Sequence, residues 1–146
     1  MSSNEFLKLD NQLCFSLYAC SRAITRMYRP FLEELGLTYP QYLVLLVLWE
    51  EKESTVKALS EKLDLDSGTL TPMLKRMESQ QLIVRQRSAA DERVVVIRIT
   101  EAGLAIYEKA LCIPQALLTS SGLNLEEIAT FNEQLKRIIT SVNTHP

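Results

Sequence analysis

The sequence has one histidine, His145, placed near its end. That excludes a metal or catalytic site built on several imidazoles. Its three cysteines, Cys14, Cys20 and Cys112, are odd in number and widely spread, unlike a secreted disulfide framework or a zinc site. There is no Cys-x-x-Cys and no phosphate-binding glycine loop. The chain is therefore expected to be no enzyme and to hold neither cofactor nor metal. Long apolar runs are missing as well. The longest, Tyr42 to Trp49, falls far short of the ~20 residues that span a bilayer. The start, Met1 to Glu5, has neither a basic segment nor an apolar one of the signal-peptide kind. A cytoplasmic protein without a membrane partner is the expectation. Nor is there an excess of positive charge, since the net charge is −2.

What is present is a globular composition, 47% hydrophobic and 23% charged. A length of 146 residues suits a domain with a real core, or a domain plus dimerisation helices. Charge is uneven. Residues 1–53 are acid-rich around Glu33-Glu34 and Glu50-Glu51, whereas Ser67 to Arg87 holds Lys75, Arg76, Arg85 and Arg87 against Glu78. A local basic patch on a mildly acidic protein fits nucleic acid binding through one face, and also fits a solvated charged face. Within the patch, Asp66 to Met77 reads as a helix with unlike sides. Leu70, Leu74 and Met77 recur at helical spacing and face a core. Gly68, Thr71, Pro72 and Lys75 make a small, hydroxylated, basic side that suits approach to phosphates and base edges. An ordinary amphipathic helix is the plain alternative.

In chain order, residues 5–28 read as a helix with Leu13, Leu17, Ser21, Ile24 and Tyr28 in one stripe, and Pro30 marks a boundary. A short helix ends near Gly36. The next starts at Thr38-Tyr39-Pro40-Gln41, with Tyr39 near the cap and Pro40 first in the helix, and runs to about Lys52 as a central core helix. Thr55 caps a third helix with Val56, Leu59 and Leu63 inward. After Asp64-Leu65-Asp66 the helix of the basic patch follows, completing a helix-turn-helix. Its start is open: Asp66 or Ser67 caps it, or Thr71 does with Pro72 at its first position. Residues 82–87 and 93–99 read as strands of a hairpin linked by Ser88 to Glu92, a wing bearing Arg85, Arg87 and Arg93. Thr100 caps a long helix that Pro114 bends or interrupts. Asn124 to Glu127 opens a last helix. Its apolar seam, Ile128, Phe131, Leu135, Ile138 and Val142, is of the kind that asks for a partner helix.

The fold class is thus mainly α with a small β-wing. The expected organisation is N-terminal sensor and dimerisation helices over 1–53, a winged helix-turn-helix over 54–99 and C-terminal dimerisation helices over 100–146, in one compact domain. This order resembles the MarR family of winged-helix regulators, as do Asp64 to Arg76, Asp91-Glu92-Arg93 and the run Ile99 to Gly103. Asn11-Gln-Leu-Cys14-Phe, Tyr28-Arg-Pro30 and Leu37 to Leu43 are similar to its organic-hydroperoxide-sensing branch, the OhrR-type repressors.

The resemblance implies a homodimeric repressor that binds palindromic double-stranded operator DNA and takes an organic hydroperoxide as oxidant. It implies that Cys14 is the peroxide-reactive residue, with Tyr28 and Tyr39 hydrogen-bonding its thiolate across the dimer. It implies DNA contacts by Ser67, Gly68, Thr69 and Thr71 through Arg76 on the recognition helix, and by Asp91 and Arg93 at the wing tip. Thiols react as thiolates, so such a site needs donors or dipoles that favour the anion. The resulting sulfenic acid condenses with a second thiol. Cys20 lies six residues along the same helix, a rise of about 9 Å, beyond the ~7 Å reach of a disulfide. Cys112 of the second subunit and a small-molecule thiol both stay open. A MarR-type regulator controlled by a small phenolic ligand is the rival reading.

Overall fold

The computed structural model describes residues 2–145. It contains helices α1 (Ser3–Phe6), α2 (Leu13–Glu34), α3 (Tyr39–Glu51), α4 (Val56–Leu63), α5 (Ser67–Ser79), α6 (Glu101–Ala110), α7 (Cys112–Ser121) and α8 (Leu125–Thr144), with a 3-10 turn at Leu9–Asn11. Strands β1 (Glu53–Thr55), β2 (Ile83–Arg87) and β3 (Val95–Ile99) form an antiparallel sheet in the order β1-β3-β2. No single helix among the described residues is long and apolar enough to cross a membrane. The chain divides into two compact units, Met1–Leu111 and Cys112–Pro146.

The first unit is built around α3. Apolar nearly all round, it buries Tyr42, Val44, Leu45, Leu48 and Trp49. A capping box starts it: Gln41 N donates to Thr38 Oγ1 (3.3 Å) while Thr38 N donates to Gln41 Oε1 (3.2 Å). The cap is therefore Thr38, with Tyr39 as the first helical residue and Pro40 just inside, so the helix starts one place earlier than the sequence suggested. Pro30 does not end a helix either, since α2 runs through it to Glu34. A proline removes one intrahelical bond, and here the turns on both sides of it hold. The helix stops instead at Gly36, whose φ of +70° a side chain would resist. Gly36 N donates to Glu33 O and Leu37 N to Leu32 O, the paired bonds of a Schellman ending. The expected helix from residue 5 is interrupted too, by the non-helical residues around Leu9–Asn11.

The helix-turn-helix follows as expected. Ala58 N donates to Thr55 Oγ1 (3.0 Å), and α4 ends at Asp64 in the left-handed region. Leu59, Leu70, Leu74 and Met77 are fully enclosed, joined by Met73, which the stripe had left out. Each such side chain stabilises the fold by about 1.5–3 kcal/mol. The hairpin strands start one and two residues later than expected, at Ile83 and Val95. Strand β1 was not foreseen. It pairs Ser54 with Ile97, and three residues are too few to show a period of two. Gly103 N donates to Thr100 Oγ1 (3.0 Å), fixing the start of α6.

In the second unit the helical run restarts at Cys112, and Pro114 lies in the first turn of α7. Helix α8 opens on the expected box, with Glu127 N donating to Asn124 Oδ1 (2.8 Å). Its seam is uncovered in the single chain: Phe131, Ile138 and Val142 are exposed, and Ile128 and Leu135 are half-buried.

Candidate nucleic-acid interface and thiol site

Helix α5 begins before Pro72. Asp66 is its cap, taking Thr69 N on Oδ1 (2.8 Å) and the Thr69 hydroxyl on Oδ2 (3.2 Å). A carboxylate there satisfies amides that the first turn cannot pair internally. Because Leu70, Met73, Leu74 and Met77 turn inward, the opposite side faces out. Ser67, Gly68, Thr69, Pro72, Lys75 and Arg76 are exposed and Thr71 is half-buried. Pro72 has no N–H for the Gly68 carbonyl, so that acceptor stays available on the exposed end of the helix.

The hairpin stands beside this helix. The Glu78 carboxylate accepts Arg85 N (3.0 Å), tying the last turn of α5 to the outer edge of β2. At the tip, Arg93 is held by Asp91 through its backbone N (3.0 Å to Oδ1), its Nε (3.2 Å to Oδ1) and a terminal guanidinium nitrogen (3.2 Å to Oδ2). These bonds hold the Asp91 carboxyl below the usual carboxylate range. The Arg93 side chain stays 90% exposed, so the guanidinium is aimed but not covered. Arg87 donates to Glu92 O (2.9 Å) in the same tip.

A cleft of about 730 Å³ lies between α4, α5 and the hairpin. It gathers Ser67, Thr71, Lys75, Arg85, Arg87 and Arg93, predicted separately from three stretches of sequence. Gly68, Thr69, Pro72, Arg76 and Asp91 are not among its lining residues. Lys57 and Ser60 of α4 do line it, with Glu61 as the one carboxylate, and were not foreseen. Their signal was the polar side of α4, where Lys57, Ser60 and Glu61 recur at i, i+3, i+4. Convergent cations with one carboxylate make an anion-attracting concavity.

Cys14 is exposed in the first turn of α2. The cap residue there, Gln12, makes no side-chain capping bond, unlike Thr38, Thr55, Asp66, Thr100 and Asn124 at their helices. Leu13 and Phe15 beside it are also exposed. Tyr28 and Tyr39 come together, with ring centroids 6.2 Å apart. Burial raises the pKa of both phenols, and the charge interaction with Tyr39 raises that of Tyr28 further, so they remain neutral O–H donors at physiological pH. One chain does not bring Cys14 to them. Fourteen residues of one continuous helix separate Cys14 from Tyr28, an axial rise of about 21 Å. Cys20 is exposed on the same helix and Cys112 is half-buried at the start of α7.

Residues 26–109 match the family of SarA/Rot transcriptional regulators. The organic hydroperoxide resistance transcriptional regulator of Bacillus subtilis (strain 168) is 50% identical over 139 residues, 95% of this chain and 95% of that protein. Among solved structures, reduced AbfR bound to DNA is 39% identical with a TM-score of 0.78, over 97% of this chain and 99% of that one. Disulfide-formed AbfR is 37% identical with a TM-score of 0.67, over 97% and 96%. AbfR is a protein of Staphylococcus epidermidis. The capped helix with its exposed polar side, the aimed arginine of the wing and these likenesses lead to one conclusion: the chain belongs to the MarR family of winged-helix transcriptional regulators, on the branch of the organic hydroperoxide regulators.

Proposed function

We propose that the protein is a homodimeric, cytoplasmic repressor that binds a palindromic operator and releases it when an organic hydroperoxide oxidises Cys14. The observation that carries this reading is the split of the sensor site along α2. Cys14 is at one end, the phenol pair is about 21 Å away near the other, and apolar side chains around Cys14 are bare. Two α2 helices set antiparallel bring each thiol to the phenols of the second copy. The bare seam of α8 supplies further dimer surface. The likeness to a hydroperoxide regulator, and to AbfR on DNA, points the same way.

On DNA, α5 lies in the major groove with Ser67, Gly68, Thr69, Thr71 and Pro72 close to base edges. Lys75, Arg76, Arg85, Arg87 and Lys57 neutralise phosphates, and Arg93, aimed by Asp91, enters the minor groove. Two such units must match half-sites about 10 base pairs apart, so a modest rotation abolishes binding. In the redox step the Cys14 thiolate attacks the distal oxygen of ROOH. The O–O bond breaks, ROH leaves with a proton from solvent, and Cys14 becomes a sulfenic acid. A second thiol then displaces water to form a disulfide. Cys20 is outside disulfide reach on the intact helix, which leaves Cys112 of the other copy or a small thiol. The mass of the oxidised chain tells them apart. Phe15 and Leu17, apolar neighbours of Cys14, favour greasy hydroperoxides over hydrogen peroxide.

The test is operator binding by Cys14→Ser. The variant should bind as the parent does and stay bound when peroxide is added, with no sulfenic acid by mass spectrometry. Peroxide-driven release of Cys14→Ser overturns the reading and favours a ligand-controlled regulator.

A further inference from the structure

The phenol pair is the end of a longer array. Tyr39 and Tyr42 have ring centroids 6.2 Å apart, Tyr42 and Trp49 likewise 6.2 Å, and Trp49 and Tyr107 5.5 Å with their planes nearly perpendicular. The array runs along α3, from its first turn to its last, and crosses to α6. Tyr28, Tyr42 and Trp49 are buried. Tyr39 is half-buried and Tyr107 exposed, so close packing acts at the three buried rings, where a displaced ring moves its neighbour or leaves a void.

The array ends at the root of the hairpin. Trp49 Nε1 donates to Gly103 O (2.9 Å), a buried bond between residues 54 apart in sequence. Gly103 has no room to yield. A Cβ there would lie 2.5 Å from Leu82 O and 2.7 Å from Ile99 Cγ1. Leu82 leads into β2 and Ile99 ends β3. Thr100, which caps α6 through Gly103 N, also donates its own N to Leu82 O (3.1 Å) and its hydroxyl to Gln81 O (2.7 Å). The end of α3 touches the same place a second time, where Ile99 N donates to Lys52 O (3.1 Å). A buried indole N–H left without its acceptor is costly, so Trp49 and the backbone at Gly103 move together.

We propose that Trp49 is a positioning residue of the switch, joining the Tyr28–Tyr39 pair to the root of the hairpin so that a displacement of the phenols reaches the DNA-facing wing. The proposal rests on the reading of Cys14 as the peroxide sensor. It assigns to one indole the link between the two ends of the first unit.

Trp49 is the only tryptophan of the chain, so its emission reports on the link directly. The full-length protein is treated with one equivalent of cumene hydroperoxide and a small thiol. Three quantities are followed: the mass of Cys14, operator affinity, and Trp49 emission without DNA. The parent should show an emission change on the time course of Cys14 oxidation and loss of DNA affinity, and Cys14→Ser should show none. Trp49→Phe keeps a ring in the array but has no N–H. Its reduced form should bind operator within about threefold of the parent and its Cys14 should oxidise as fully. The ratio of reduced to oxidised affinity should fall about tenfold or more, a coupling of ordinary allosteric size. Unchanged Trp49 emission in a parent that is oxidised and released overturns the proposal, as does a Trp49→Phe protein that keeps the full ratio. If Trp49→Phe does not fold, emission in the parent decides. Release of Cys14→Ser by peroxide, or a parent oxidised at Cys14 that stays on DNA, overturns the sensor reading and this proposal with it.

Discussion

The DNA-facing region and the thiol region solve the same problem, holding polar side chains at a surface, in opposite ways. Around α5 and the hairpin several functional groups have a support within their own chain. Asp66 caps the helix, Glu78 secures the edge of β2 and Asp91 aims Arg93. Around Cys14 the helix start has no side-chain cap, Leu13, Phe15 and Tyr18 are exposed, and the phenols lie far down the helix. The first region is complete in one chain, and on the proposed reading the second is half of a site. The contrast suits a switch. A reader must be rigid to discriminate sequences, whereas a sensor built between two copies converts a local reaction into a change of their relative placement.

The contrast is tested most severely by keeping the chain folded and removing the second copy. Ile138→Glu puts a charge on the seam of α8, where the side chain is already exposed and contributes little to the fold of one chain. The variant should sediment as a monomer. Its operator affinity should fall on the order of 100-fold or more, because two linked half-site contacts gain about 10²–10⁴ from effective concentration. The paired site would be dismantled as well, so Cys14 should react more slowly with an organic hydroperoxide. A dimer that binds and reacts as the parent does would show that α8 is no part of the interface and that the sensor site is not shared through it.

The complete half of the comparison is tested at its most exposed member. Arg93→Ala removes the aimed guanidinium and nothing from the core. Affinity should fall by about tenfold, within the ~1–3 kcal/mol of a specific contact. If Arg93 neutralises a phosphate instead, the loss should come with a salt slope shallower by about one. The pH dependence follows from Asp91. Its carboxyl titrates below the ordinary value in the folded protein, so the pairing is present above the unfolded value and lost as pH falls through the folded one. The Arg93 contribution should therefore be flat across neutral pH and fade only in acid. A binding profile in which the parent and Arg93→Ala converge near neutrality would contradict it.

What could be read from the sequence follows the same division. The helix caps at Thr55, Thr100 and Asn124, the inward stripe of α5 and the hairpin were all visible, because each is set by residues a few positions apart. Features set by distant partners were not. Strand β1 exists because Ser54 meets Ile97. Lys57 joins the cationic cleft only once α4 is set against the hairpin. The proposed thiol site rests on resemblance, since Cys14 and the phenols share no local pattern and no contact within one chain.

The smallest expected effect lies at Asp66, where helix capping and DNA binding make different demands on one residue. Its carboxylate caps α5, yet a negative charge at the start of a recognition helix faces phosphates. Removing a capping side chain costs about 1 kcal/mol, roughly a fivefold change in an equilibrium constant, whereas an exposed charge repulsion is screened by salt. The cap should win, so Asp66→Ala should lower the melting temperature by about 4 °C and weaken operator binding a few-fold through a loosened first turn. Asp66→Asn keeps a side-chain oxygen for Thr69 N and removes the charge. It should melt with the parent and bind operator equally or slightly better, most visibly at low salt. If Asn weakens binding as much as Ala does, the carboxylate itself makes a contact on DNA and is more than a cap. If Ala changes neither quantity, the rigidity of the reader does not begin at Asp66, and the contrast with the uncapped start of α2 loses its energetic meaning.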